Sequence, residues 1–258
     1  MRLVAHKLNF EIEIKAIRIA SFNLRYYYII ETMRTSKTVA DLNNEAVSFL
    51  QGGNYQAAVV SLQKAMELLY KNPTWQETIK NKENLAECVA SLRVQSLPIA
   101  ALKPTARGSS HQINVFEFYR RSFYITSSPF QQSIIHPISN LIVVKFNMAI
   151  AYHDDGIRRN IVSHLMRAQA LYEEILSLMH TYGIRGHMLL IMAIGNNLGH
   201  IHSHLLNFQQ TREALYWVRQ LAIACEQHVS SIPYHEFSFF YKTVVVFNGN
   251  DLNAAPAA

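Results

Sequence analysis

Residues Leu42 to Leu69, LNNEAVSFLQGGNYQAAVVSLQKAMELL, constrain the fold more than any other stretch of the chain. Apolar residues recur at helical spacing from Asn44 to Gln51 and again from Gln56 to Leu69, and Gly52-Gly53-Asn54 supplies a turn between the two runs. Looser versions of the same pattern return around Phe146 and around Asn196. A helix pair cannot bury its apolar face alone and has to stack on neighbours. The recurrence therefore predicts an all-α fold, an antiparallel helix-pair array of about eight helices with an extended, loop-rich insert.

The bulk properties fit a folded, helix-rich protein. Half of the 258 residues are apolar and 16% are charged, which argues against general disorder. No apolar run approaches the length of about 20 residues that a bilayer span needs. Cys88 and Cys225 lie far apart in sequence and are expected to be reduced, buried thiols of an intracellular protein, cytoplasmic or nuclear. The net charge of +6 is uneven. Arg2, Lys7, Lys15, Arg18, Arg25, Arg34 and Lys37 face only Glu11, Glu13 and Glu31 in the first 37 residues, so the body is close to neutral. A concentrated basic face, the usual mark of a nucleic-acid binder, is missing from that body.

Five regions follow from the pattern. Residues 1–37 form a leader: Phe10 to Ile19 alternates like a half-buried strand, and Met33 opens a polar stretch that would start the working protein. The leader reads as dispensable, with organelle targeting as the alternative. Residues 38–94 hold the first helix pair, helical from Val39, and a further helix from Pro73 through Leu92. Residues 95–139 form the insert, broken by Pro98, Pro104, Pro129 and Pro137, with an extended aromatic stretch from Ile113 to Ile125, INVFEFYRRSFYI. An insert of this length exceeds the usual limit for a structureless loop, so it is expected to be functional or partly disordered. Residues 140–248 hold two more pairs. Their expected helices are Leu141–Tyr152 broken by Gly156, Val162–Met179, Met188–Leu206, Phe208–Cys225 and a last one from about Tyr234 to Phe247. Residues 249–258 are a small, polar tail.

The residues of the three pairs carry a family resemblance. The first offers Leu42, Ala46, Phe49, Gly53, Tyr55, Ala58, Leu62 and Ala65, with Ala46 and Ala58 small enough to let two helices approach. The second offers Phe146-Asn147-Met148-Ala149, Tyr152, Gly156, Ala168, Tyr172 and Ile175, with about seven extra residues between Gly156 and Ala168. The third offers Asn197-Leu198-Gly199, His202, Phe208, Thr211, Leu215 and Val218. This set resembles the tetratricopeptide repeat family in divergent form. The equivalent positions Glu45, Met148 and Leu198 lie 103 and then 50 residues apart, against a family period of about 34. The resemblance implies a concave groove lined by the first helix of each pair. Its residues would be Asn43, Val47, Leu50 and Gln51, then Phe146, Ile150, His153 and Asp154, then Asn196, His200, Ser203 and His204. The Lys and Asn with which one subgroup of the family grips a terminal carboxylate are replaced by Asn43 and Val47, so a helix or apolar peptide is the better-matched occupant.

Sharper chemistry has less support. His200 and His204 sit four apart on one helix face, a spacing that ligates zinc, but no third ligand accompanies them and they read as groove-edge residues. His153-Asp154-Asp155, placed before Gly156, reads as a solvated turn. Arg120-Arg121 reads as the water-facing side of a strand, with the aromatic residues around it folding the insert back onto the helices. Met188 and Met192 are expected in a helix core. No nucleophile–base constellation, phosphate loop or dinucleotide fingerprint is present. The expected function is a protein–protein interaction scaffold, not an enzyme, with no cofactor or metal and with another protein, not nucleic acid or membrane, as partner. The alternative is an enzyme or regulatory module, metal-dependent or not, built from the insert and the His-rich third unit.

Overall fold

A computed structural model of the chain describes residues 31, 33–72, 94–99, 116–126, 137–184, 187–227 and 232–248. Among them, seven helices and two short strands form: α1 (33–51), α2 (Tyr55–Lys71), β1 (Val94–Pro98), β2 (Arg121–Ile125), α3 (Pro137–Arg159), α4 (Val162–Thr181), α5 (Met188–His204), α6 (Phe208–Gln227) and α7 (Tyr234–Asn248). The fold is all-α, as the periodicity predicts. The expected strand at Phe10–Ile19, the expected helix from Pro73 to Leu92, Cys88 and the tail all lie outside the described residues.

Short turns join α1 to α2, α3 to α4 and α5 to α6, so each pair is antiparallel. Asn54 accepts a hydrogen bond from the Ala57 amide at 3.2 Å and caps α2. Ser61 of α2 donates to the Glu45 carboxylate of α1 at 2.9 Å. The pairs stack in chain order, α2 on α3 and α4 on α5, and α7 closes the end against α5 and α6.

Burial separates the two helices of a pair. The second helices are amphipathic. Leu165, Ala168, Tyr172, Ile175 and Met179 form the buried stripe of α4, and Thr211, Leu215, Val218, Ala222 and Cys225 that of α6. The inner helices are buried nearly all round: α3 from Ile138 to Asp154 and α5 from Met192 to His202. A helix covered on every side needs a second covering layer, and the extended insert supplies it. Lys145, buried within α3, is neutralised by Glu174 of α4 at 2.7 Å.

Two boundaries differ from the sequence reading. Helix α1 begins by residue 33, inside the stretch assigned to the leader. Gly156 does not break α3, which runs on to Arg159. A Cβ on Gly156 would lie 2.8 Å from Leu165 Cδ2 and 3.2 Å from its amide nitrogen, so the glycine serves close helix contact. The extra residues of this pair lengthen α3 and α4 at their shared end. Shared between the two helices, they add about one helical turn to each, so the faces stay in register.

The turn of the third pair carries strain. Leu206 has φ 60°, where the equivalent residue of the first pair is Gly53 with φ 75°. A side chain is disfavoured there because its Cβ crowds the following carbonyl. Leu206 is more than half exposed, so little apolar burial holds it. Leu206→Gly is expected to stabilise the protein by about 0.5–1 kcal/mol in urea denaturation; a loss of stability would show that the Leu206 side chain packs usefully.

Candidate functional site

Residues 116–126 cross the inner helices as an extended segment. β2, its C-terminal half, pairs antiparallel with β1 in the register Val94↔Ile125 to Pro98↔Arg121, and the Ile99 amide donates to the Arg120 carbonyl at 3.1 Å. In an extended chain the amide and carbonyl of one residue point to the same edge, and the next residue points to the other. The edge turned away from β1 therefore needs partners, and asparagines supply them.

Asn44 of α1 accepts from the Ile125 amide at 2.9 Å and donates to its carbonyl at 3.0 Å. Asn147 of α3 accepts from the Phe123 amide at 2.8 Å and donates to its carbonyl at 2.8 Å. Asn197 of α5 accepts from the Tyr119 amide at 2.9 Å and donates to its carbonyl at 3.3 Å. These are equivalent positions, one before Glu45, Met148 and Leu198, and each carboxamide grips one residue at both ends of its peptide dipoles. Asn43 and Asn196 add single bonds to the Phe123 and Glu117 carbonyls, at 3.0 and 2.8 Å. Asn147 also donates to the Asn43 carboxamide, and Asn197 to the Tyr172 hydroxyl, which fixes the orientation of both amides.

Side chains of the segment fill sites of their own. Phe116 lies over Gly199, where a Cβ would collide with its ring. Phe118 packs on His153 at 3.9 Å between ring centroids and on His200 at 5.5 Å. Tyr119 stacks on Phe240, meets Phe239 edge-on, and donates its hydroxyl proton to the Glu236 carboxylate at 2.9 Å. Phe123 packs on Phe146 at 4.8 Å. Arg120 and Arg121 are half-buried and paired with acids, not simply solvated. Arg120 grips the fully buried Asp154 through Nε at 3.0 Å and through its terminal nitrogen. Arg121 reaches Glu236, only 2% exposed, at 3.0 Å, and Ser96 of β1 donates to the same carboxylate. Arg158 holds the other oxygen of Asp154 at 2.7 Å. His153-Asp154-Asp155 is thus part of the helix and its contacts, not a solvated turn: His153 and Asp154 are fully buried, and Asp155 bonds His164 at 2.8 Å.

Of the twelve expected groove residues, six touch the segment or its side chains: Asn43, Phe146, His153, Asp154, Asn196 and His200. Val47, Leu50 and Ile150 are buried apolar residues, Gln51 is exposed, and Ser203 and His204 are half-buried at the end of α5. The groove expected to stand open to a partner is covered by the chain's own insert. The residues with the most direct backbone contacts, Asn44, Asn147 and Asn197, fall outside the expected set. Their recurrence in one column of the three pairs was the signal that could have found them.

His153 Nε2 and His200 Nδ1 share a hydrogen bond of 3.0 Å beneath Phe118. Burial, then neighbouring histidines and Arg120, push His153 well below the ordinary histidine value and His200 down to about 3. Both are therefore neutral at neutral pH. Burial also raises the Tyr119 hydroxyl, reinforced by the Glu236 carboxylate, so it stays a proton donor. His200 pairs with His153, and no group of three metal-ligating side chains converges among the described residues. The same residues hold no helix long and apolar enough to cross a membrane.

Two outcomes follow. Asn147→Ala strands the buried Phe123 amide, leaves its carbonyl to Asn43 alone, and should cost about 2–4 kcal/mol in chemical denaturation, against about 1 kcal/mol for the half-buried Asn44→Ala. Equal, small losses would mean that water replaces the carboxamide. For His200 the folded pKa lies below the unfolded one, so its contribution is complete above about pH 6.5 and is lost as pH falls toward the folded value. His200→Gln should therefore flatten the fall in stability between pH 6.5 and 4 by up to about 1.4 kcal/mol per pH unit; an unchanged slope would show that His200 titrates normally.

Compared with models of known protein families, with curated proteins and with solved structures, the chain matches none. Function therefore rests on the geometry of the chain itself.

Proposed function

We propose that this protein is a protein–protein interaction scaffold, a divergent tetratricopeptide-like array whose inner face holds an extended polypeptide by its backbone. The observation that carries the reading is the asparagine column Asn44, Asn147 and Asn197, each clasping the amide and carbonyl of one residue in an extended strand. Backbone clasping accepts any sequence that can lie extended, and flanking pockets then choose among sequences. The array holds its own residues 116–126 in this way, which puts scaffold and ligand on one chain. Asp154 and the His153–His200 pair serve that grip: the carboxylate binds two arginines and the imidazoles form a platform for Phe118. This use favours a binding role over a catalytic one.

Supplying the segment in trans tests the reading. In one variant residues 116–126 are replaced by a Gly/Ser stretch of equal length; in a milder one Tyr119 and Phe123 become alanine. A synthetic peptide FEFYRRSFYIT is then titrated into each. Binding to the folded state alone raises stability with the logarithm of ligand concentration, by about 2.7 kcal/mol at a hundredfold excess over Kd. The melting temperature should climb accordingly. A melting temperature indifferent to the peptide in both variants would end the proposal.

A further inference from the structure

The groove discriminates between sequences as well as holding a backbone, and the chain's own segment reveals what it selects. Two carboxylates sit at its floor, Asp154 fully buried and Glu236 nearly so, on helices α3 and α7. They engage consecutive residues of the segment, Arg120 and Arg121. A buried carboxylate left without its cation costs far more than a surface one, so a segment lacking the arginines is penalised rather than merely unrewarded. The aromatic positions are just as specific. The missing side chain of Gly199 makes room for the Phe116 ring. The His153–His200 platform, the Phe239–Phe240 pair and Phe146 receive Phe118, Tyr119 and Phe123 in turn.

We infer that the groove takes, from a second protein, an extended basic–aromatic segment: a dibasic Arg-Arg step with aromatic residues four, two and one positions before it and two positions after it. The inference rests on the scaffold reading above and deepens it by naming the partner's chemistry. Charge complementarity carries it, because an acidic or purely apolar strand would leave Asp154 with Arg158 alone and Glu236 without its arginine, each short of the cation the segment supplies. Gly199, Asp154 and Glu236 are the residues that set the preference. A partner in trans competes with a tethered copy whose effective concentration is of millimolar order, so it prevails where the chain's own segment is loosened or where it adds contacts of its own.

The test uses the segment-replaced full-length chain and three peptides: FEFYRRSFYIT, the same peptide with glutamine at both arginine positions, and the same peptide with alanine for its first phenylalanine. Fluorescence polarisation should show the glutamine peptide binding at least about 30-fold more weakly, a change of the size found when a buried charge loses its partner. Gly199→Ala in the protein should weaken the parent peptide by about tenfold and restore preference for the alanine peptide, an exchange that a general loss of structure would not produce. Should all three peptides bind alike, the groove is sequence-blind and the inference falls while the scaffold reading stands. Should none bind, both fall. If the replaced chain does not fold, the intact chain decides: Arg120→Gln with Arg121→Gln should speed amide exchange at Tyr119, Phe123 and Ile125 by about tenfold or more, and unchanged exchange would overturn the selective role of the two acids.

Discussion

A strand that runs through a protein interior brings a row of amides and carbonyls along each edge, and every one left unpaired costs on the order of 1–3 kcal/mol. β1 satisfies one edge of residues 121–125. The other edge faces helices, whose own backbone groups are already spent within their turns. Only side chains can answer it. A carboxamide is the one short side-chain group that donates and accepts in a plane matching a peptide unit, and Asn44, Asn147 and Asn197 place one on each inner helix. Without that column the segment could not be buried, and without the segment α3 and α5 would expose apolar surface on their inner sides.

The rest of the interior is arranged around the same requirement. Asn43 and Asn147 bond each other, and Asn197 bonds Tyr172, so the carboxamides are held before the strand arrives. The two arginines bring charge into this region, and each meets a carboxylate that has a further partner: Arg158 for Asp154, Ser96 for Glu236. Sharing each acid among several donors satisfies more of its lone pairs, which is the condition under which buried ions cease to be a large penalty. The neutral His153–His200 pair then supplies a polar but uncharged platform where a third cation would repel Arg120.

The helices were legible in the sequence because their apolar period is local. Ala46, Ala58, Leu62 and Ala65, picked as packing positions, are all buried, and the ends of α4 and α6 fall within two residues of the expected ones. Gly156 misled because a glycine marks either a break or a close approach, and only the distance to Leu165 separates the two. Arg120, Arg121 and Asp154 misled for another reason. Charged residues on a strand edge or beside a turn signal are usually solvated, and the pairs Arg120–Asp154 and Arg121–Glu236 join residues far apart in sequence, beyond any local pattern. The asparagine column lay between these cases. Its three members were visible at equivalent positions, but a polar residue on an inner helix does not announce what it bonds until the strand across it is known.

Under the proposed scaffold role, a resident segment on the same chain as the groove changes what that groove can do. Intramolecular occupancy is set by effective concentration over the intrinsic dissociation constant, and a millimolar effective concentration with a micromolar site leaves about one molecule in a thousand open. An outside segment of equal intrinsic affinity is then bound about a thousandfold more weakly than to an empty groove. Any change that loosens residues 116–126 raises the open fraction directly, and the grip is concentrated in a few places where such a change would act. Neutralising Arg120 or Arg121, or altering Tyr119 at the Glu236 contact, weakens the tethered segment while leaving the asparagines in place. The buried carboxylates would then each lack one cation in the closed form, and a competitor carrying its own arginines would restore it. Under the proposed role, the same two acids that secure the resident strand therefore also determine which strand can succeed it.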